Sequence, residues 1–340
     1  MADKKAPAKA AQAVKKKKVL DVPFWIGFDL GGTKMMACVL DKNYKVLGSA
    51  RKSTHGSDGQ AKGGKKILNA IHEAIAVAGV NPKGLQGIGI GCPGLVNPEK
   101  GTLIIAPNLG WKNMPLRKML ETEFKKPVAV LNDVDAGTYG EFVLGAGKGA
   151  RSLLGVFPGT GVGAGFVYDG KLVMGKTISA MELGNVMLPG THIGSVEFGT
   201  VILEDLTSRL ALASGAGVAC YRGQAPELDR KTQGALREIR SKALAGSFRS
   251  GEEATMVLFR NSVRYLGMGV AMVVNLFAPD QITLGGGLVE ELPGLYLQLL
   301  KEEVERYAIP ELAKGVKYTL AKLGGQAVAA GAVAWLRERK

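Results

Sequence analysis

The chain has 340 residues, with 44 Lys or Arg, 30 Asp or Glu, 48 Gly, 3 Cys, 3 His and a net charge of +14. Its length and its 46% hydrophobic, 22% charged composition exclude a largely disordered chain and predict a globular protein of two domains. Cys38, Cys92 and Cys220 lack paired spacing, which excludes a disulfide framework or a CxxC zinc site and predicts a reducing, cytoplasmic setting.

Residues 1–18 carry seven Lys and one Asp, +6 of the total, and leave +8 on the other 322 residues. A segment of almost pure Ala, Lys, Gln and Pro cannot pack, so it is predicted to be a disordered, solvated tail; weak adhesion to polyanions is the sharper alternative. Lys15–Lys18 stands where a secretion signal needs apolar residues. The longest apolar run, Tyr265–Pro279, is shorter than the roughly 20 residues of a membrane helix. No membrane and no specific nucleic acid are therefore expected as partners.

The folded part begins near Val19. Phe24–Leu30, Met35–Leu40 and Lys45–Ala50 read as a meander of strands whose first corner is Gly31-Gly32-Thr33-Lys34. Lys65–Val77 has helical spacing, with Ile67, Ile71, Ala74 and Ile75 on one face and His72 in solvent. A buried strand at Gly87–Gly91, a helix at Leu116–Phe124 and a strand at Pro127–Leu131 follow. The same grammar restarts after Arg151, with strands at Leu153–Phe157, Gly163–Tyr168 and Lys171–Met174. Helices at Phe198–Leu212 and Glu252–Phe277, strands at Gln281–Leu284 and Lys317–Leu320, and a helix at Gln326–Arg337 complete the chain. This predicts a duplicated α/β unit whose halves share a cleft.

Asp29 stands at a strand end before Gly31, Gly32 and Thr33. Glycines let backbone N–H groups approach phosphate oxygens, Thr33 adds a hydroxyl, and Asp29 can hold a hydrated Mg²⁺; a plain hairpin turn is the alternative. Gly159-Thr160-Gly161 is a second such turn. It opens into a strand rather than a helix, so it is no dinucleotide fingerprint, and no GxxxxGK[ST] is present. Gly285-Gly286-Gly287 is a third place for close backbone approach, suited to a nucleotide base or sugar. Asn132 and Asp133 emerge from a buried strand into a helix. Either can be an N-cap, and Asp133 can instead accept the proton of an attacking hydroxyl, since phosphoryl transfer needs positioning, charge neutralisation and one base.

These segments resemble the ROK family of sugar kinases, within the actin-like acetate-and-sugar-kinase superfamily. The likeness runs from about Trp25 to near the C-terminus. It rests on Asp29 to Lys34, Gly91-Cys92-Pro93-Gly94, Ala106 to Trp111 with Asn108, Leu131-Asn132-Asp133, Gly159 to Gly161, Glu182-Leu183-Gly184 and Leu284 to Gly287, in family order. The resemblance implies a two-domain actin-like (ribonuclease H-like) α/β fold around an interdomain cleft. Residues 19–137 with 325–340 would form the small domain and 138–324 the large one. It implies Asp133 as general base, Asn132 and Glu182 on sugar hydroxyls, and ATP phosphates on the first two glycine turns with Mg²⁺ bridging them. Family members are commonly dimers or tetramers.

The family's usual Glu-x-Gly-His followed by a cysteine-rich zinc loop is absent. Asn185 replaces the His, and Ser195, Glu197 and Ile202 stand where the cysteines fall, so no structural zinc is expected. His192 reads as a loop residue. Glu204 retains the place of the final Glu, which in the family also reaches the sugar. The expected activity is an ATP-dependent hexose 6-kinase, most simply a glucokinase, with Asn108, Asn132, Glu182, Asn185 and Glu204 around the ring. Alternatives are a polyphosphate-dependent glucokinase, a kinase of fructose, mannose or N-acetylhexosamine, and a sugar-sensing regulator, the last disfavoured because few residues precede the first strand. Cys38 and Cys92 are expected in the core, Asp135 in solvent or a cap, and Trp111 either in packing or against the sugar.

Overall fold

The computed structural model describes residues 19–189 and 200–339. The Lys-rich segment 1–18 lies outside the described residues, as do His192, Ser195 and Glu197. Strand β1 (Phe24–Leu30) is antiparallel to β2 (Lys34–Leu40), and β2 to β3 (Val46–Ser53). Helix α1 (Gln60–Ala78) buries Ile67, Ile71, Ala74 and Ile75 against this meander, and β4 (Leu85–Cys92) returns parallel to β1. Short strands β5 (Leu95–Asn97), β6 (Thr102–Ala106) and β7 (Trp111–Met114) form a side sheet. After α2 (Leu116–Phe124), β8 (Val128–Asn132) adds parallel to β4 and runs straight into α3 (Asp133–Val143).

The second half repeats this plan. Strands β9 (Ser152–Pro158), β10 (Val162–Tyr168) and β11 (Lys171–Leu172) form the meander, and β12 (Met187–Pro189) pairs with β13 (Thr200–Ile202). Five helices follow: α4 (Leu203–Thr207), α5 (Arg209–Tyr221), α6 (Pro226–Thr232), α7 (Ser241–Arg249) and α8 (Glu253–Phe277). Strand β14 (Gln281–Leu284) then joins parallel to β9. Helices α9 (Gly287–Glu291), α10 (Pro293–Tyr307) and α11 (Pro310–Lys314) lead to β15 (Lys317–Leu320), parallel to β14, and α12 (Ala327–Glu338) comes last.

The two five-stranded sheets have the same order, β3-β2-β1-β4-β8 and β11-β10-β9-β14-β15. The predicted duplication is therefore present strand for strand. Because β1, β4 and β8 run the same way, Asp29, Cys92 and Asn132 lie at one end of the first sheet. Gly159 and Gly285 follow the corresponding ends of β9 and β14. Open α/β sheets bind ligands beyond these carboxyl ends. Helix α12 lies on β1 and β4, α3 on β9 and β10, and the two helices pack on each other between the sheets.

One element differs from the sequence reading, and one apolar run is part of a longer, predicted helix. The predicted helix at Phe198–Leu212 is, within the described residues, strand β13 followed by α4 and α5. Ser208 breaks the run in extended backbone and caps α5, its hydroxyl accepting the Ala211 N–H at 3.1 Å. Helix α8 spans 25 residues, longer than the apolar run of its sequence, and is long and apolar enough in composition to cross a membrane. Arg260, Asn261 and Arg264 precede that run on the exposed face of the helix, while its other face, with Phe259, Val263, Leu266 and Val270, is core packed on α5 and α10.

Candidate active site

The first glycine turn is closed by the Gly31 N–H donating to the Lys34 carbonyl at 3.0 Å. The Thr54 hydroxyl donates to the Gly31 carbonyl at 2.7 Å, and the Thr54 N–H to the Thr33 carbonyl at 2.8 Å. A Cβ on Gly32 would stand 2.9 Å from Asn108 Nδ2, so the exposed β6–β7 turn brings Asn108 directly over this corner. Asp29 pairs across the sheet with Met36 and Gly91. Burial raises its carboxyl to about 6, the charge of Asp133 adds to the rise, and Lys34 and Arg51 oppose it. A Cβ on Gly91 would stand 3.3 Å from the Cα of Asp133, which is how the first turn of α3 settles beside Asp29.

Asn132 caps α3. Its Oδ1 accepts the N–H groups of Val134 and Asp135 at 2.8 and 3.1 Å, and its Nδ2 donates to the Gly94 carbonyl at 3.0 Å. One amide hydrogen is left for a ligand. Asp133 is the first helical residue, and its Oδ1 accepts the Val134 N–H at 3.0 Å. Burial lifts its carboxyl to about 6, backbone N–H groups hold it down in part, and Glu182 raises it. Such a carboxylate is ionised at neutral pH yet basic enough to take a proton.

Asp135 differs from its expected place in solvent or a cap. It is 1% exposed, neither carboxyl oxygen has a partner among the described residues, and burial, Glu182 and Asp133 push it to about 8. Thr138, one turn further, is also buried with its hydroxyl unpartnered. The reason is that α3 is enclosed by β10, β4 and α12, so this face of its first turn does not reach water.

On the second turn, the Gly159 N–H donates to the Gly161 carbonyl at 2.8 Å. Glu204, expected at the sugar, accepts the Val162 N–H through Oε2 at 2.7 Å, and that oxygen lies 2.3 Å from where a Gly161 Cβ would be. One of its oxygens thus serves the turn itself. Arg209, which sequence reasoning missed, donates its N–H to the Gly159 carbonyl at 2.9 Å and its Nη2 to Thr160 Oγ1 at 3.0 Å. Its only signal in the sequence is a cation immediately after the cap residue Ser208. Glu182 and Asn185 flank a single turn, Asn185 Nδ2 donating to Glu182 Oε2 at 3.2 Å. Ile202, at one zinc-cysteine position, ends β13 and has no ligating atom.

Gly285 and Gly286 are required by the protein itself. A Cβ on Gly285 would meet the Phe157 ring at 2.7 Å, and Gly286, at φ 103°, would meet the Pro158 carbonyl at 2.4 Å. Gly287 opens α9 and faces Ser241 Oγ. A cavity of about 300 Å³ lies between the halves, lined by Asp133, Gly137, Glu141, Phe157, Gly285 and Gly286. A second, of about 760 Å³, joins Thr33 of the first turn to Arg209, Arg237 and Arg240. Trp111 is in packing: it is buried against Gly63, with Nε1 donating to the Gly56 carbonyl at 3.2 Å. Cys38 and Cys92 are buried, as expected.

Comparison with known proteins fits this geometry. The pattern of the ROK family matches residues 25–339. A glucokinase of Halalkalibacterium halodurans is 30% identical over 316 residues, covering 92% of this chain and 94% of that one. A xylose repressor of Caldicellulosiruptor bescii is 29% identical over 79% of this chain and 66% of its own length. The crystal structure of a ROK family glucokinase from Streptomyces griseus, in complex with glucose and AMPPNP, aligns with TM-score 0.79 at 29% identity, over 93% of this chain and 99% of that one. With a family match across almost its whole length and this two-domain actin-like α/β fold, the chain belongs to the ROK family.

Proposed function

We propose that this chain is an ATP-dependent hexose kinase that phosphorylates the 6-hydroxyl of glucose. The observation that carries the reading is Asp133: a carboxylate held near 6, beside Asp29 and in the field of Glu182, at the mouth of a cleft flanked by two glycine turns. Asp133 takes the hydroxyl proton as the hydroxyl oxygen bonds to the terminal phosphorus and the bond to the departing diphosphate oxygen breaks. Asn108, the free amide hydrogen of Asn132, Glu182 and Asn185 orient the sugar, while Glu204 holds the second turn in shape. Gly31 and Gly159 close the two turns with their own N–H groups, so the N–H groups of Gly32, Thr33, Thr160 and Gly161 receive the donor's phosphates, with the Gly285–Gly287 backbone beyond them. Closing residues 19–137 with 325–340 over 138–324 would exclude water from the transfer.

Asp29 fits a Mg²⁺ ion. Its half-buried carboxylate lies beside that of Asp133 at the end of the sheet, two like charges that a cation would join, and magnesium takes few protein ligands when substrate phosphates supply the rest. Bound there, the ion would offset charge on the phosphates.

Glucokinase relatives and a neighbour holding glucose and AMPPNP support this choice of acceptor and donor. The three arginines of the larger cavity favour a second donor, inorganic polyphosphate. A coupled assay of ATP and polyphosphate against glucose, fructose, mannose and N-acetylhexosamines tests both readings. ATP with glucose is expected to give the highest kcat/KM; no turnover with any pair would overturn the kinase assignment.

A further inference from the structure

The second glycine turn carries a cation to which transfer from ATP gives no role. Arg209 is half-buried, is tied to both Gly159 and Thr160, and forms no ion pair among the described residues. Arg209 lines the cavity of about 760 Å³ that reaches Thr33 on the opposite turn. Arg240 lies near enough that its charge, after burial, makes the Arg209 cation harder to keep. Arg237 lines the same cavity, and among the described residues the only carboxylate paired with these three is Glu238, 3.7 Å from Arg240 and exposed. Arg237 and Arg240 are exposed and Arg209 half-buried, and like charges lining one cavity repel unless an anion comes between them. The guanidinium fork presents parallel N–H groups to phosphate oxygens.

We propose that Arg209, backed by Arg240 and Arg237, binds the phosphate chain of the donor where it spans Thr33 and Thr160. Thr33 and Thr160 mark the two turns, so an anion lying between them passes the Arg209 fork. The Nη2 bond to Thr160 Oγ1 fixes the guanidinium before the donor arrives and lowers the ordering cost of binding. Recognition here is of phosphate, independent of base and sugar. The inference rests on the phosphotransfer reading, and its test separates the two.

Isothermal titration of the full chain with ATP, and with tripolyphosphate as a phosphate chain lacking base and ribose, provides that test. A charge-assisted contact predicts that Arg209→Ala weakens both ligands by about 10-fold or more. Arg209→Lys should restore only part of this, and Arg240→Ala should cost several-fold. Hexose KM should stay at the wild-type value while ATP KM rises. Arg209→Lys and Arg240→Ala carry the test if Arg209→Ala melts early. Wild-type tripolyphosphate affinity in all three variants would overturn the proposal, as would loss of ATP binding alone, which would mean a nucleoside contact. A wild-type enzyme that phosphorylates hexose while its variants bind normally refutes the arginine site only. One that binds tripolyphosphate through Arg209 but phosphorylates no hexose refutes the kinase reading only.

Discussion

A methyl group on Gly331 would stand 1.8 Å from the carbonyl oxygen of Ala136, so α12 and α3 cross at backbone contact. At the same crossing a Cβ on Gly140 would stand 2.5 Å from the Ala327 carbonyl. The next residue, buried Glu141, accepts the N–H groups of Lys322 and Leu323 at 2.8 and 2.7 Å, and of Ala146 at 2.8 Å. The crossing is thus where the two halves are joined, and Asp133 sits at the end of the same helix.

Gly331→Ala should destabilise the protein by about 1–3 kcal/mol, because the nearest atoms are backbone and cannot move aside as a flexible side chain would. Thermal unfolding reads this as a lowered Tm. An unchanged Tm would mean that α12 slides freely on α3.

Asp133→Asn keeps the shape of the side chain and removes its basicity. It should lower kcat by about 10²–10⁴-fold, the usual contribution of a general base. Hexose binding, measured by calorimetry, should stay close to wild type. Retained turnover would move the base elsewhere.

The pH profile follows from the raised carboxyls. Asp133 must be ionised to accept a proton, so kcat/KM should rise through about pH 6 and level off above it, with Asp29 titrating in the same range. The negative charge of Glu182 raises Asp133, so Glu182→Gln should move this acid limb to lower pH. A limb that stays in place would show that Glu182 does not face Asp133 in solution.

Asp135→Asn should stabilise the fold most at high pH. In the folded protein Asp135 keeps its proton up to about 8, whereas in the unfolded chain it releases it near the ordinary aspartate value of 3.8. Between those values the folded state binds more protons, so stability declines as pH rises and the decline ends above about 8. Asparagine is neutral throughout, so the variant's gain in Tm should be larger at pH 8 than at pH 5. Equal gains at both would show that Asp135 is not held protonated.

Much of the architecture is legible in the residues. Phe24–Leu30, Leu116–Phe124, Gln281–Leu284 and Lys317–Leu320 have the bounds that their apolar periodicity and flanking turn residues predict. Two glycine turns at strand ends and a polar pair at the start of α3 are local features too, and they were found where the spacing put them. Local signals failed at Ser208, where a single capping hydroxyl divides what periodicity alone joins into one helix.

Partners and burial were decided only by the packed chain. Glu204 looks like a ligand to the sugar in the sequence, yet one of its oxygens belongs to Val162, 42 positions away. Gly285 and Gly286 resemble ligand contacts, but Phe157 and Pro158 of another strand impose them. Asp135 loses water because α12, almost two hundred residues later, helps to close over α3, and Arg209 gains its meaning from Thr160. Backbone periodicity is set by neighbours along the chain, whereas desolvation and hydrogen-bond choice depend on which distant elements come to lie above a side chain.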